Sequence, residues 1–352
     1  MKRFFFLISV TLLTFASSFS DSISQNLHVH FLDVGQADCA LVQTPSGKSL
    51  LIDAGNIEDA GKIISYLENQ YITRLDVVVG THPHADHVGG MAQVIRKLDI
   101  GDIYMPYATN NTVTFPDLLM AIKDKGLKVS TAKAGVRIDL DPALEIMFLA
   151  PNSDTYGDPN NYIAVLKITH KRSSFLLTGD AGIVSEEEML RSRVDFKADV
   201  LKVAHHGSSS SSSDGFLENV SSKYAVISVG SGNNYGHPAK DTLDRLARYN
   251  VEVFRTDVDG TIIISSDGEK IRVEKQASSL KPKAPPSAPY LSDKPSYSIQ
   301  ADKDIVTVYI TRTGKKYHRF GCQYLSRSCI PIELKRAKDV GYAPCKACKP
   351  AQ

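Results

Sequence analysis

The sequence predicts an α/β fold whose buried strands carry metal-binding side chains to one shared edge. Three stretches predict it. Asp76–Gly90 reads D-V-V-V-G-T-H-P-H-A-D-H-V-G-G, a short apolar run followed by His82, His84, Asp86 and His87. Phe175–Asp180 reads F-L-L-T-G-D, and Val200–Ser208 reads V-L-K-V-A-H-H-G-S. Short continuous apolar runs of this kind suit strands buried on both faces. Imidazole and carboxylate crowded after such a strand are the donors a borderline cation such as zinc or manganese takes. A lone acidic side chain such as Asp180 at the end of a buried run is costly unless a cation meets it.

Lys2 and Arg3 precede an apolar run from Phe4 to Phe15 and then small residues, Ala16-Ser17-Ser18. That is the pattern of an export signal over residues 1–20, with an uncleaved anchor over Phe4–Ser20 as the rival; the small residues favour cleavage, so the mature protein is expected to be secreted or extracytoplasmic. No later segment is apolar enough to span a bilayer.

From Leu27, L-H-V-H-F-L-D-V-G-Q-A-D-C-A-L-V-Q-T reads as a strand, a Gly-containing turn and a second strand reaching Val42, with His28 and His30 as strand side chains. Asp38 is either a neighbour of the metal residues or a turn aspartate bonded to local backbone. S-L-L-I-D-A-G is a third strand ending at Asp53, and Asp59–Gln70 is a helix with Ile63, Ile64 and Leu67 on one face. Helices follow over Met91–Leu98 and Pro116–Lys125, strands over Val136–Ile138 and Leu144–Ala150, and an irregular loop over Pro151–Asn161. The next two strands turn tightly around Lys171–Ser173, which puts His170 on a solvated turn. Ser208–Ser213 is expected to be a flexible rim ending in a helix cap at Ser213 or Asp214. After the strand Y-A-V-I-S-V comes N-N-Y-G-H-P, which offers His237 as either a substrate contact or an idle loop residue. Helix Ala239–Tyr249 and strands near Val251–Phe254 and Thr261–Ser265 close the body.

The net charge of +2 hides a division. Residues 21–276 hold 25 Lys and Arg against 34 Asp and Glu, a net of −9, whereas residues 277–352 hold 14 against 5, a net of +9. Residues 276–303, with five prolines, form an extended linker. Residues 304–352 are too few to bury a secure core, so a staple is expected. His318-x3-Cys322 and Cys345-x2-Cys348 have the spacing of a tetrahedral zinc site, with disulfides among Cys322, Cys329, Cys345 and Cys348 as the rival. Arg312, Lys315, Lys316, Arg319 and Arg327 make the module basic, suited to DNA or to an anionic wall polymer.

H-P-H-A-D-H resembles the H-x-H-x-D-H signature of the metallo-β-lactamase superfamily; the resemblance covers residues 27–275, within an expected hydrolase domain of residues 21–275. It implies an αββα sandwich with one or two metals at the sheet edge, held by His82, His84, Asp86, His87 and Asp180, the last as the bridging carboxylate. I-D-A-G is similar to a superfamily phrase whose aspartate, here Asp53, braces the metal loop. F-L-D-V-G-Q-A-D and H-H-G-S resemble the ComEC-type branch, named for a DNA-uptake protein. One of His205 and His206 then joins Asp86 and His87 at the second metal; His205, nearer the strand end, is taken as the ligand and His206 as a catalytic contact. Most superfamily members carry a further histidine before the bridging aspartate. Here His170 falls at a turn, and Asn160-Asn161 stands where the ComEC-type branch has an Asn-rich phrase. The C-terminal module resembles the metal-binding domain of the Ada DNA-repair protein, with His318 in place of its first cysteine. Together these resemblances imply a two-metal hydrolase of phosphodiesters, with DNA as the expected substrate, Asp86 orienting the nucleophile and His237 near substrate. Esterases of small phosphoesters such as phosphorylcholine are the alternative.

Overall fold

The computed structural model describes residues 26–107, 114–156, 161–192, 194–276 and, towards the C-terminus, 307–311, 314–318, 322, 324, 330–339 and 341–349. The export segment, Asn160, Arg312, Arg319, Arg327, Cys329 and the linker beyond Gln276 lie outside the described residues.

The first six strands are β1 (Leu27–Phe31), β2 (Ala40–Gln43), β3 (Ser49–Ile52), β4 (Arg74–Val79), β5 (Asp99–Met105) and β6 (Val129–Thr131). The next seven build a second sheet: β7 (Arg137–Ile138), β8 (Leu144–Ala150), β9 (Val165–His170), β10 (Ser173–Leu177), β11 (Val200–Lys202), β12 (Tyr224–Ile227) and β13 (Glu252–Arg255). Then β14 (Thr261–Ser266) and β15 (Ile271–Gln276) return to the first, giving the orders β15-β14-β1-β2-β3-β4-β5-β6 and β13-β12-β11-β10-β9-β8-β7. Strands β3 to β6 run parallel, as do β10 to β13. Their C-terminal ends are where ligands gather in open α/β sheets.

Alternation along the strands explains the layers. Val77 and Val79 enter the cluster between the sheets with Phe31, Phe148, Phe175 and Leu177, while Val78 turns to the helices of the first face. Those helices are α1 (Ala60–Asn69), the one-turn α2 (Ala85–Val88), α3 (Met91–Lys97) and α4 (Thr114–Asp124). Ile63, Leu67, Met91, Val94, Ile95 and Leu118 bury their apolar stripe against Leu41, Leu51 and Ile103. The second sheet is covered likewise by α5 (Ile183–Arg191), α6 (Asp214–Val220) and α7 (Lys240–Arg248), through Met189, Phe216, Leu217 and Leu246. Each sheet thus carries helices on its outer face, as the αββα expectation requires.

Several expectations are corrected. His170 closes β9 and is buried at 1 % exposure, because the hairpin turns only beyond it and Ser173 and Ser266 pack there. The serine run is no uniform rim. Ser211 and Ser212 are fully buried, and the backbone N–H groups of Ser212 and Ser213 donate to the buried Glu186 carboxylate at 2.5 and 3.0 Å. Ser213 does cap α6, accepting from the Phe216 N–H at 3.3 Å. Strand β15 is not among the expected strands; it pairs with β14 over six residues, and only its last residue, Gln276, falls in the expected linker.

A separate four-stranded sheet in the C-terminal module has the order Ile330–Glu333, Thr307–Ile310, Lys316–His318, Ala343–Pro344.

Candidate metal centre

The ends of β3, β4, β10 and β11 converge. β4 stops at Val79 and delivers His82, His84, Asp86 and His87, the last two inside α2. This turn packs so tightly that a Cβ on Gly89 would lie 2.3 Å from the Ala85 carbonyl oxygen, and one on Gly90 2.4 Å from that of Ala54. Hence the Gly89-Gly90 pair. Asp53, just beyond β3 in left-handed conformation (φ 59°), accepts from the Thr81 N–H at 2.8 Å, the Thr81 hydroxyl at 2.7 Å and His87 Nδ1 at 2.7 Å. With Nδ1 so engaged, His87 turns Nε2 to Asp180 Oδ1, 3.2 Å away. A carboxylate that fixes an imidazole's tautomer in this way is the usual support of a metal-binding histidine.

Besides the group of Asp38, Asp53 and His87, two donor groups result, each with one atom per residue and all atoms within 4.8 Å: Asp86, His87, Asp180 and His206, and His82, His84 and Asp180. Asp180 belongs to both. His170 belongs to neither.

The pair after β11 divides contrary to expectation. His206 is the residue of the donor group, whereas His205 leaves 42 % of its side chain exposed and holds its Nε2 3.8 Å from Asp180 Oδ2. The reason is backbone: both residues adopt left-handed conformations (φ 50° and 53°), so the chain coils after Val203 and carries the second ring inward. His206 Nδ1 donates to the Ser228 carbonyl oxygen at 2.9 Å, and its Nε2 lies 3.3 Å from Asp86 Oδ2. His237 stands beside them, with ring centroids 5.7 Å from His205 and 6.4 Å from His206.

The electrostatics call for positive charge. Asp38, Asp53 and Asp180 are buried around His87, joined by the partly exposed Asp86. Among the described residues the one lysine that meets them is Lys202, whose Nζ lies 2.5 Å from Asp38 Oδ2. Burial pushes the Asp38 carboxyl up, but Lys202, His87 and His206 together hold it at about 2. Burial likewise opposes charge on His206, yet Asp38, Asp86 and Asp180 raise it to about 10. His87 is raised well above the usual range because Asp180, Asp53 and Asp38 outweigh its burial. In His82 burial wins, reinforced by His87, and holds the imidazole neutral. Buried carboxylates in such excess require a proton or a cation as partner. Among the described residues His87 Nε2 and Asp180 Oδ1, both buried, face each other at 3.2 Å and meet no further hydrogen-bonding group. The donor set therefore fits divalent cations.

Lys202 and Asp38 are what sequence reasoning undervalued. Asp38 does lie at the centre, and a lysine inside the apolar run V-L-K-V-A was the available signal. A charge there must find a buried counter-ion.

In the C-terminal module His318, Cys322, Cys345 and Cys348 bring one donor each within 4.8 Å of one another, all four buried. His318 Nδ1 is 3.2 Å from Cys322 Sγ and 3.9 Å from Cys348 Sγ. This is a possible Cys/His metal site.

A family model described as the metallo-beta-lactamase superfamily matches residues 32–231. The chain is 28 % identical over 257 residues to ComE operon protein 3 of Bacillus subtilis (strain 168), which covers 68 % of this chain and 33 % of that protein. To competence protein ComA of Neisseria gonorrhoeae it is 31 % identical over 232 residues, covering 65 % and 31 %. The chain thus spans about a third of the length of these curated relatives. A solved metallo hydrolase from the archaeon Ignicoccus hospitalis is 17 % identical, covers 67 % of this chain and 98 % of its own, and superposes with a TM-score of 0.44. The competence-protein names accord with the ComEC-type phrases around Asp38 and His206. The family match takes in every donor of the sandwich centre, from His82 to His206, and with it the conclusion is plain: this chain belongs to the metallo-β-lactamase superfamily and is a metal-dependent hydrolase of it.

Proposed function

We propose that the protein is an exported phosphodiesterase that cleaves DNA at the sandwich centre. The observation that carries this reading is the place of Asp180 in both donor groups, which sets two cation positions side by side. His82, His84 and Asp180 would hold one cation, and Asp86, His87, His206 and Asp180 the other. A mixed nitrogen and oxygen set of this kind accepts zinc or manganese. When bound, such a pair activates the attacking water and offsets charge developing on the phosphoryl group.

The chain's own residues do the rest. Asp53 and Ser228 fix the His87 and His206 tautomers through Nδ1, so both Nε2 atoms face the centre. Asp86, whose carboxyl is pushed up by burial but held below the usual range by the hydrogen bond to His206 together with the charges of His87 and His206, is an anion positioned to take a proton from the nucleophile. In the C-terminal module the sulfur-rich set of His318, Cys322, Cys345 and Cys348 suits one structural zinc. The likeness to the Ada metal-binding domain and the tail's +9 support DNA as its partner.

The −9 body favours a second reading, a hydrolase of small phosphoesters, because it offers phosphates no attractive path. One experiment separates the two. The metal-loaded full chain is assayed on DNA and on a small phosphodiester, with and without residues 277–352. A DNA hydrolase cuts both substrates. Truncation then weakens apparent affinity for DNA alone, by a margin that shrinks as salt rises. Hydrolysis of the ester with single- and double-stranded DNA left uncut would establish the small-phosphoester reading instead.

A further inference from the structure

Beside the donor groups lies an exposed aromatic stack with no role in holding a cation. Tyr235 is 73 % exposed, and its ring lies nearly parallel to that of His237, at 23° and a centroid distance of 5.7 Å. His237 in turn stacks on His206 at 27° and 6.4 Å. The series runs from solvent to a side chain of the centre in two ring spacings. One face of it is open.

The loop bearing this stack is held firmly. Asn233 uses its whole amide: Nδ2 donates to the Gly230 and His237 carbonyl oxygens at 3.0 and 2.6 Å, and Oδ1 accepts from the Tyr235 and His237 N–H groups, both at 3.1 Å. From the other side Gly207 presses on Pro238, where an added Cβ would come within 2.6 Å of the proline ring. An exposed tyrosine on a pinned loop presents its face at little entropic cost.

We propose that Tyr235, backed by His237, is a stacking platform for an unpaired nucleobase, and that it makes the enzyme select single-stranded over duplex DNA. This rests on the nucleic-acid reading above and adds the form of the substrate. Outside its cation positions a body with a net charge of −9 does little to draw in a strand through its phosphates, so contacts indifferent to charge add to affinity beside the centre. Stacking of bases on aromatic side chains is such a contact. Bases in a duplex already stack on each other and offer no free face.

The test uses the full, metal-loaded chain and a non-hydrolysable phosphorothioate strand carrying 2-aminopurine, with an abasic strand and a duplex for comparison. Charge attraction by the tail is equal for the abasic and base-bearing strands, so their ratio isolates the platform. The base-bearing strand should bind about tenfold more tightly than the abasic one, with 2-aminopurine fluorescence quenched. Tyr235→Ala should abolish both the preference and the quenching, and Tyr235→Phe should retain them. Equal binding of base-bearing and abasic strands, or an undiminished preference in Tyr235→Ala, overturns the platform while leaving a nuclease in place. If the unaltered protein binds and cuts no strand yet turns over a small phosphodiester, the nucleic-acid reading itself has failed and the platform falls with it.

Discussion

In the sandwich, the donors stand at the ends of strands whose apolar residues are buried on both faces. Around them Asp53, Thr81, Ser228 and the Asp38–Lys202 pair hold the ligands in place. In the C-terminal module the donors are a large part of what is buried. Its apolar cluster among the described residues is Val308, Ile310, Tyr317, Leu334 and Ala337, and the second cluster consists of Cys322, Cys345 and Cys348 with Tyr309 against them. One centre is carried by a fold with a large apolar core of its own, while the other lies in a module that buries few apolar residues besides its donors. Metal should therefore matter to chemistry in the first and to folding in the second.

The largest effect follows directly. Stripping metal from the full chain with a chelator should unfold the module, because an ion bound by such a set contributes on the order of 10 kcal/mol to its folding. Hydrogen exchange resolved by segment reads it: amides of Thr307–Ile310 should lose protection while those of Leu27–Phe31 and Ser173–Leu177 keep theirs. Protection unchanged in both segments would mean that the module is stapled by something other than metal.

A smaller effect, within the sandwich, concerns the bracing. Lys202→Met leaves Asp38 buried without its cation, and breaking a buried pair from one side costs about 3–5 kcal/mol. Urea unfolding should show that loss, and adding Asp38→Asn to the same chain should recover part of it. Equal stabilities for Lys202→Met and the parent chain would remove the pair from the framework of the centre.

Local order along the chain was legible wherever a buried strand ended in a ligand. Asp180, the His82–His87 loop and the brace at Asp53 could be read from an apolar run followed by polar residues of one chemical kind. The roles of His205 and His206 could not. Both follow the same strand, and which one faces inward depends on two consecutive left-handed residues, a backbone state that no side-chain pattern announces. The burial of His170 and of Ser211 and Ser212 was hidden for a different reason. Ser266, whose backbone bonds to His170, and Glu186, which accepts from Ser212, come from distant parts of the chain, so local polarity suggested solvent. Helix α5 and strands β6 and β15 were missed where periodicity was weak or the surface charged, since tertiary packing and not local preference decides such segments.

The smallest expected effect tests the sandwich away from both centres. His30 lies on β1 at 3 % exposure, with Nδ1 2.8 Å from the Tyr66 hydroxyl and Nε2 without a partner. Burial above all, with His28 adding to it, lowers its pKa to about 4 from an ordinary 6.5. As pH falls, the unfolded chain takes up a proton at this histidine before the folded chain does. The stability this residue contributes is therefore complete above about pH 6.5 and is lost progressively between about 6.5 and 4. Between about pH 7.5 and about pH 5 the loss amounts to about 2 kcal/mol. His30→Gln keeps a polar group near Tyr66 but removes the titration. Urea unfolding of the two proteins at both pH values cancels the acid sensitivity that the metal centres give to each. The variant should decline less steeply toward acid by about that amount, whatever its stability at neutral pH, and parallel declines would show that His30 is protonated as readily folded as unfolded.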